Sequence, residues 1–131
     1  MRFTVEHIGL AARDSAALKD WYVGTLGAEL VFDNGQTPPA FLLRMPGGPM
    51  VEIYQGDQAL AETAKNTLAG WRHLALRVES LGLARAELAA RGIVFTDQAK
   101  PAGGGGQVLF FKDAEGNLLH LVERPKDSPI R

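Results

Sequence analysis

A chain of 131 residues, 46% hydrophobic and 22% charged, is long enough to bury a sizeable core as one domain, and it carries a net charge of −1. So balanced a charge offers no basis for nucleic acid or an anionic membrane surface as partner, and the lack of cysteine excludes disulfides, thiolate metal sites and a cysteine nucleophile together. No apolar run approaches the roughly 20 residues of a membrane span, and MRFTVEHIGL has no charged segment followed by a long apolar stretch, so a cytoplasmic protein is the expectation.

The first element is a strand at about 3–11, FTVEHIGLA. A helix follows at 15–26, with Asp14 or Ser15 as its N-cap, Gly27 as its stop, and Leu18, Trp21, Tyr22 and Leu26 as its apolar face. AELVF (28–32) is a strand, and FLLRM (41–45) with MVEIY (50–54) forms a hairpin around Pro46-Gly47-Gly48-Pro49. DQALAETAKNTLAG (57–70) is polar and alanine-rich, which suits a partly helical connector. The order then recurs: a strand at RHLALRV (72–78), a helix capped by Ser80 and ending at Arg91 before Gly92, a strand at IVF (93–95), and a hairpin of VLFFK (108–112) and NLLHLVE (117–123) around Asp113-Ala114-Glu115-Gly116.

The pieces match as well as the order. HIGLAARDSAAL from position 7 is similar to HLALRVESLGLA from position 73, a shift of 66, and FLLRMPGGPMVE (41–52) overlays LFFKDAEGNLLH (109–120) at a shift of 68. The fold class is therefore α+β, two tandem βαβββ modules at about 3–56 and 71–124 joined by the connector 57–70, forming a cupped mixed sheet in a single domain. All three histidines fall on repeat-related positions: His73 matches His7, and His120 matches Glu52. In GNLLHLVER, alternation puts Leu118, His120 and Val122 on one strand face and Leu119, Leu121 and Glu123 on the other. A lone strand histidine is most often a hydrogen-bonded core residue, and Glu52 has Arg44 or Arg77 as possible partners. Yet a buried unpaired carboxylate is costly, and four such residues at two repeat-equivalent pairs of positions make a donor set of three imidazoles and one carboxylate that suits a divalent metal.

The duplication, with HIGLAARD, FLLRMPGGPMVEIYQ, HLALRV and DAEGNLLHLVE, resembles the vicinal oxygen chelate superfamily, which contains glyoxalase I, methylmalonyl-CoA epimerase, extradiol dioxygenases, and fosfomycin and bleomycin resistance proteins. The resemblance spans about residues 4–124. It implies metal ligands at His7, Glu52, His73 and His120, with His120 standing where the pattern D-x-x-G-N-x-x-E-L carries a glutamate. It implies a homodimer, and a metal site formed either within one chain or from His7 and Glu52 of one subunit with His73 and His120 of its mate. It also implies a glyoxalase-like, metal-dependent lyase or isomerase acting on a small carbonyl or thioester compound through an enediolate, with Glu52 as general base. Imidazole-rich ligation suits zinc, nickel or cobalt better than magnesium. Iron or manganese belongs to the alternative of a dioxygenase, and a non-catalytic small-molecule binder of the resistance type is a third reading. With a single carboxylate, held hard by a more positive site, the set favours binding over turnover.

Alternation supplies further cup-lining candidates. Arg77, four residues beyond His73 on one strand face, is placed to receive a substrate carboxylate or phosphate, the plain alternative being a solvated strand-end arginine. Pairing around the turns is expected to set Phe41, Leu43, Met50 and Tyr54 beside Glu52, and Leu109, Phe111 and Leu118 beside His120, so that Phe41, Tyr54 and Phe111 join Arg77 as candidate substrate-binding residues. Trp71 is expected to wall the cup or seal the connector. PAGGGGQ (101–107) lacks the lysine and Ser/Thr of a phosphate loop and is followed by a strand, so it reads as a loop between strands, with gating of the cavity as its functional alternative.

Overall fold

Residues 1–58 and 63–130 are described by the structure, a computed structural model. The chain divides into two compact units, residues 1–61 and residues 62–131. Each follows the order βαβββ, and the two repeat-related halves are an α+β architecture of two four-stranded mixed sheets with one helix apiece.

Unit 1 contains β1 (His7–Ala12), α1 (Ser15–Leu26), β2 (Glu29–Asp33), β3 (Phe41–Arg44) and β4 (Met50–Gln55). The sheet order is β1-β4-β3-β2, with β1 parallel to β4 and the other pairs antiparallel. A parallel partner needs a crossover, and α1 with the β2–β3 hairpin provides it. Helix α1 starts where the Asp14 side chain accepts a hydrogen bond from the Ala17 amide at 3.0 Å, and it stops at Gly27, whose φ of 72° is left-handed and whose N–H reaches the Val23 carbonyl. Its Leu18 and Tyr22 are buried, as are Phe41, Leu43, Val51 and Ile53, which alternate along β3 and β4. The ammonium of Lys19 on α1 sits 4.9 Å from the centre of the Phe41 ring, so this row is the face that the helix covers. Each of these large side chains contributes about 1.5–3 kcal/mol by leaving water.

Unit 2 contains β5 (His73–Arg77), α2 (Leu81–Ala90), β6 (Lys100–Pro101), β7 (Gln107–Lys112) and β8 (Leu118–Glu123), in the sheet order β5-β8-β7-β6. Ser80 caps α2 through the Leu83 amide at 3.2 Å. The covered face is Leu109, Phe111, Leu119 and Leu121, all buried, together with Leu81 and Leu88 of the helix.

Two expected elements differ. Ile93, Val94 and Phe95 form no strand; the edge of sheet 2 is the two-residue β6, where Lys100 pairs with Val108 and Pro101 with Gln107. Phe95 is held instead by its side chain, its ring 5.6 Å from that of Phe111 with the Arg85 guanidinium over it, so ring packing replaces ladder hydrogen bonds at this edge. The connector 57–70, expected to be partly helical, holds turns and bends and no helix among its described residues, while its 59–62 lie outside them. No helix is long and apolar enough to cross a membrane among the described residues.

Candidate functional site

The first and last strands of each unit pair in the same register. His7 lies opposite Met50 and Gly9 opposite Glu52; His73 lies opposite Leu118 and Ala75 opposite His120. In a parallel ladder, each histidine of the first strand is thus the diagonal neighbour, on one face, of the last-strand residue two positions beyond its partner. The two pairs, His7 with Glu52 and His73 with His120, are structural equivalents. Both occupy the face opposite the helix, because Val51 and Ile53 in unit 1, and Leu119 and Leu121 in unit 2, take the buried alternate positions.

In unit 2 the pair is in contact. The His73 and His120 rings are 4.7 Å apart, and the Phe110 ring completes a cluster at 5.8 Å from His73 and 4.8 Å from His120. Nδ1 of His73 meets the Asn66 side-chain oxygen at 2.8 Å, and in unit 1 Nδ1 of His7 meets Oε1 of Glu6 at 2.9 Å. An acceptor at Nδ1 holds the proton there and leaves the Nε2 lone pair free, the arrangement that orients a metal-binding imidazole. Nδ1 of His120 is buried and has no hydrogen-bond partner among the described residues. Burial, then the neighbouring His73 and then Arg124, push the His120 pKa below its ordinary value, so the neutral ring is favoured.

Glu52 is half-buried, and its carboxylate makes no hydrogen bond or ion pair among the described residues; Arg44, one of its anticipated partners, faces Glu29 at 3.8 Å. Among the described residues, no three His, Asp or Glu side chains stand close enough to hold one ion, and each unit brings a pair. Tyr54 shares the face of Glu52, its ring 3.4 Å from where a Cβ on Gly9 would lie, so the glycine leaves room for the ring. Arg77 shares the face of His73 and is exposed, and its Nη2 donates to the Ile130 carbonyl at 2.6 Å.

Phe41 and Phe111 correct the expected register. Phe41 pairs with Ile53 and Phe111 with Leu119, so both lie in the helix-covered core, and Leu43 and Leu109 lie there with them. Beside Glu52 stands Leu42, and beside His120 stands Phe110. Both hairpin loops carry five residues between the closing pairs Arg44–Met50 and Lys112–Leu118, so positions facing each other share the same parity, and counting the loop finds Leu42 and Phe110 from the sequence. Trp71, expected to wall the cup or seal the connector, is 92% exposed. Asn66 escaped sequence reasoning because only tertiary contact brings it to His73, whereas Glu6 adjoins His7 in the chain and Arg124 follows His120 by four residues.

Glu123 faces the helix side, as alternation requires: its Oε2 accepts from the Leu81 amide at the start of α2 at 2.6 Å. The second hairpin is tied by Asp113, which accepts from the amides of Glu115 and Asn117 and from the Asn117 side chain, while Thr63 donates to Asn117 at 2.8 Å. The glycine run is a docking surface for the chain that follows β8. A Cβ on Gly106 would lie 1.9 Å from the Glu123 carbonyl oxygen, and one on Gly104 would lie 2.3 Å from the Ile130 side chain. Arg124 Nη1 donates to the carbonyls of Gly103 and Gly105.

The sequence model described as "Glyoxalase/Bleomycin resistance protein/Dioxygenase superfamily" matches residues 4–121. No curated relative matches the chain. Among solved structures, a glyoxalase family protein from Enterococcus faecalis is 29% identical, with a TM-score of 0.77 over 92% of this chain and 97% of its own. An antibiotic binding protein from Streptomyces shares the fold at 22% identity and a TM-score of 0.72, covering 95% of this chain and 98% of its own. A lactoylglutathione lyase from Agrobacterium tumefaciens does so at 16% identity and 0.67, covering 94% and 95%.

Proposed function

Because this chain belongs to the Glyoxalase/Bleomycin resistance protein/Dioxygenase superfamily, whose members typically bind divalent metals, we propose that it is a metal-dependent lyase or isomerase of glyoxalase type, acting on a small carbonyl or thioester compound through an enediolate. The observation that carries this reading is the state of His120: a ring nitrogen buried without a partner among the described residues, in a ring whose neutral form is favoured and whose centre lies 4.7 Å from that of His73. A buried polar atom left unsatisfied costs about 1–3 kcal/mol, and a metal ligand must be an unprotonated imidazole. On this reading His7, Glu52, His73 and His120 are the metal ligands, and the protein is a homodimer in the cytoplasm. The donor set suits zinc, nickel or cobalt.

When bound, such an ion supplies Lewis acidity to a substrate carbonyl. The chain does the rest. Glu52, half-buried and free of competing hydrogen bonds, takes the proton from the carbon beside the carbonyl and returns it to the product. Glu6 and Asn66 keep the imidazoles of His7 and His73 in one tautomer. Tyr54 and Arg77 bind the substrate beside the reacting centre, with Phe110 as an apolar wall, and Phe41 and Phe111 support the sheet from behind.

A second reading, a non-catalytic binder of small molecules, is favoured by His120 itself, because an imidazole in place of the family carboxylate leaves Glu52 as the only base. The fold shared with an antibiotic binding protein agrees with it.

Elemental analysis of purified protein decides first, with His120→Ala in parallel. About one equivalent of a transition metal per site, lost or much weakened in the variant, is the expected result. Proton exchange or turnover of carbonyl compounds that stops on chelation and returns with zinc, nickel or cobalt then marks the lyase or isomerase. Oxygen consumption with ferrous iron marks the dioxygenase instead. Persistent metal-free protein that retains a ligand after chelation overturns the metal reading in favour of the binder.

A further inference from the structure

We infer that the cleft at the C-terminal end of β5 and β8 is an oxyanion subsite, where Arg77, Arg124 and Lys126 receive a carboxylate or phosphate group of the compound that reacts on the histidine face. The cleft has a volume of about 360 Å³ and lies wholly within unit 2, with Glu79, Ser128 and Ile130 also lining it. That volume, near the low end for ligand pockets, is enough for a carboxylate or phosphate group. Three cationic side chains face one carboxylate there, and no ion pair engages Arg77, Arg124 or Lys126 among the described residues.

Two of the cations are held in place by neutral partners. Arg77 is tied to the Ile130 carbonyl, and Arg124 to the carbonyls of Gly103 and Gly105, the latter at 2.8 Å. A guanidinium carries five N–H donors, so these bonds orient each group while leaving donors unspent and its charge uncompensated. Fixing the side chains before the ligand arrives lowers the entropy cost of binding, and the planar fork of arginine matches two oxygens of a carboxylate or phosphate. The tail itself is seated: Ser128 donates to the Gly104 carbonyl at 3.3 Å and accepts from the Ile130 amide at 3.2 Å. The glycine run thus gains a purpose, since a side chain at 106 would collide with the Glu123 backbone where the tail leaves β8, and Gly104, Gly105 and Gly106 all take a left-handed φ.

The cleft also continues the candidate site. His73, Ala75 and Arg77 project to one face of β5, with Ala75 opposite His120 and Arg77 opposite Val122. A compound anchored by its anion at Arg77 would lie along this row with its other end toward the two histidines. Assigning the anion to the reacting compound rests on the reading proposed above; the anion site stands without it.

The test uses metal-stripped protein, so that a failure of the metal site leaves it intact. Amide spectra are recorded by NMR while inorganic phosphate, and separately acetate, is added to the wild type and to Arg77→Gln, Lys126→Gln and Ser128→Ala. Saturable shifts centred on residues 77–79 and 124–128 are expected, about tenfold or more weaker in Arg77→Gln, weaker also in Lys126→Gln, and largely retained in Ser128→Ala, which keeps every charge. Tighter phosphate than acetate assigns a phosphate monoester, and comparable affinities assign a carboxylate. No saturable shift with either anion, or equal affinity in the wild type and both charge variants, overturns the subsite. Anion binding in a protein that never takes up metal keeps the subsite and removes only its link to carbonyl chemistry.

Discussion

In unit 1 the first amide of α1, at Ser15, is met by the neutral side chain of Gln55 at 3.1 Å; in unit 2 the matching amide of α2, at Leu81, is met by the carboxylate of Glu123 at 2.6 Å. Gln55 and Glu123 end β4 and β8 at the repeat shift of 68, and the caps Asp14 and Ser80 match at the shift of 66. One frame is therefore built twice with different atoms. On the helix-covered faces the replacements are apolar for apolar, Ile53 for Leu121 and Phe41 for Leu109. On the opposite faces the chemistry diverges: His7 with Glu52 in one unit, His73 with His120 and Phe110 in the other, and only unit 2 carries the seated tail and its cationic cleft. The difference teaches that packing constrains one face of each sheet and leaves the other free to acquire a function, because a buried apolar side chain has few substitutes of equal shape whereas an exposed position has many.

The equivalence of the frames is broken hardest at the core. Ile53 and Leu121 are 0% and 2% exposed, and each →Ala substitution is expected to cost about 2–5 kcal/mol in urea denaturation. Similar losses would mark equal frames; a loss confined to one variant would show that a single unit dominates stability. A smaller effect separates the helix starts. Glu123→Ala removes a charge-assisted bond and is expected to cost about 1.5–3 kcal/mol, against about 0.5–1.5 for Gln55→Ala. Glu123→Gln should bring unit 2 to the level of unit 1, and equal costs for Glu123→Ala and Gln55→Ala would deny the charge any role.

The smallest effect concerns pH. His120 has its pKa lowered in the folded state, so the unfolded chain binds more protons between the folded value and the ordinary value of 6.5. Stability should rise with pH through that window, be fully present above about 6.5, and decline as pH falls until the folded ring is itself protonated. Denaturation between pH 5 and 8 should show this slope in the wild type and a shallower one in His120→Gln; the same slope in both would place the pH dependence elsewhere.

Much of this was legible in the chain. The limits of α1, its Gly27 stop, the Ser80 cap and the side of β8 on which Glu123 falls all follow from local rules of spacing and capping, and the repeat-related histidines follow from internal comparison alone. The strand anticipated at 93–95 failed because Phe95 is held by the ring of Phe111, a contact distant in sequence. Phe41 and Phe111 were misassigned to the site face through hairpin register, since a shift of one residue exchanges every side chain between faces.

By itself the sequence determined the βαβββ repeat, the limits of its helices and the repeat equivalence of His7 with His73 and of Glu52 with His120, because period, caps and turn residues act over a few neighbours. Only the tertiary structure decided that Asn66 meets the His73 ring and that the tail lies on the glycine run to form a cationic cleft. Those contacts depend on where separate segments meet in space, and that is set by the packing of the whole unit rather than by any local preference.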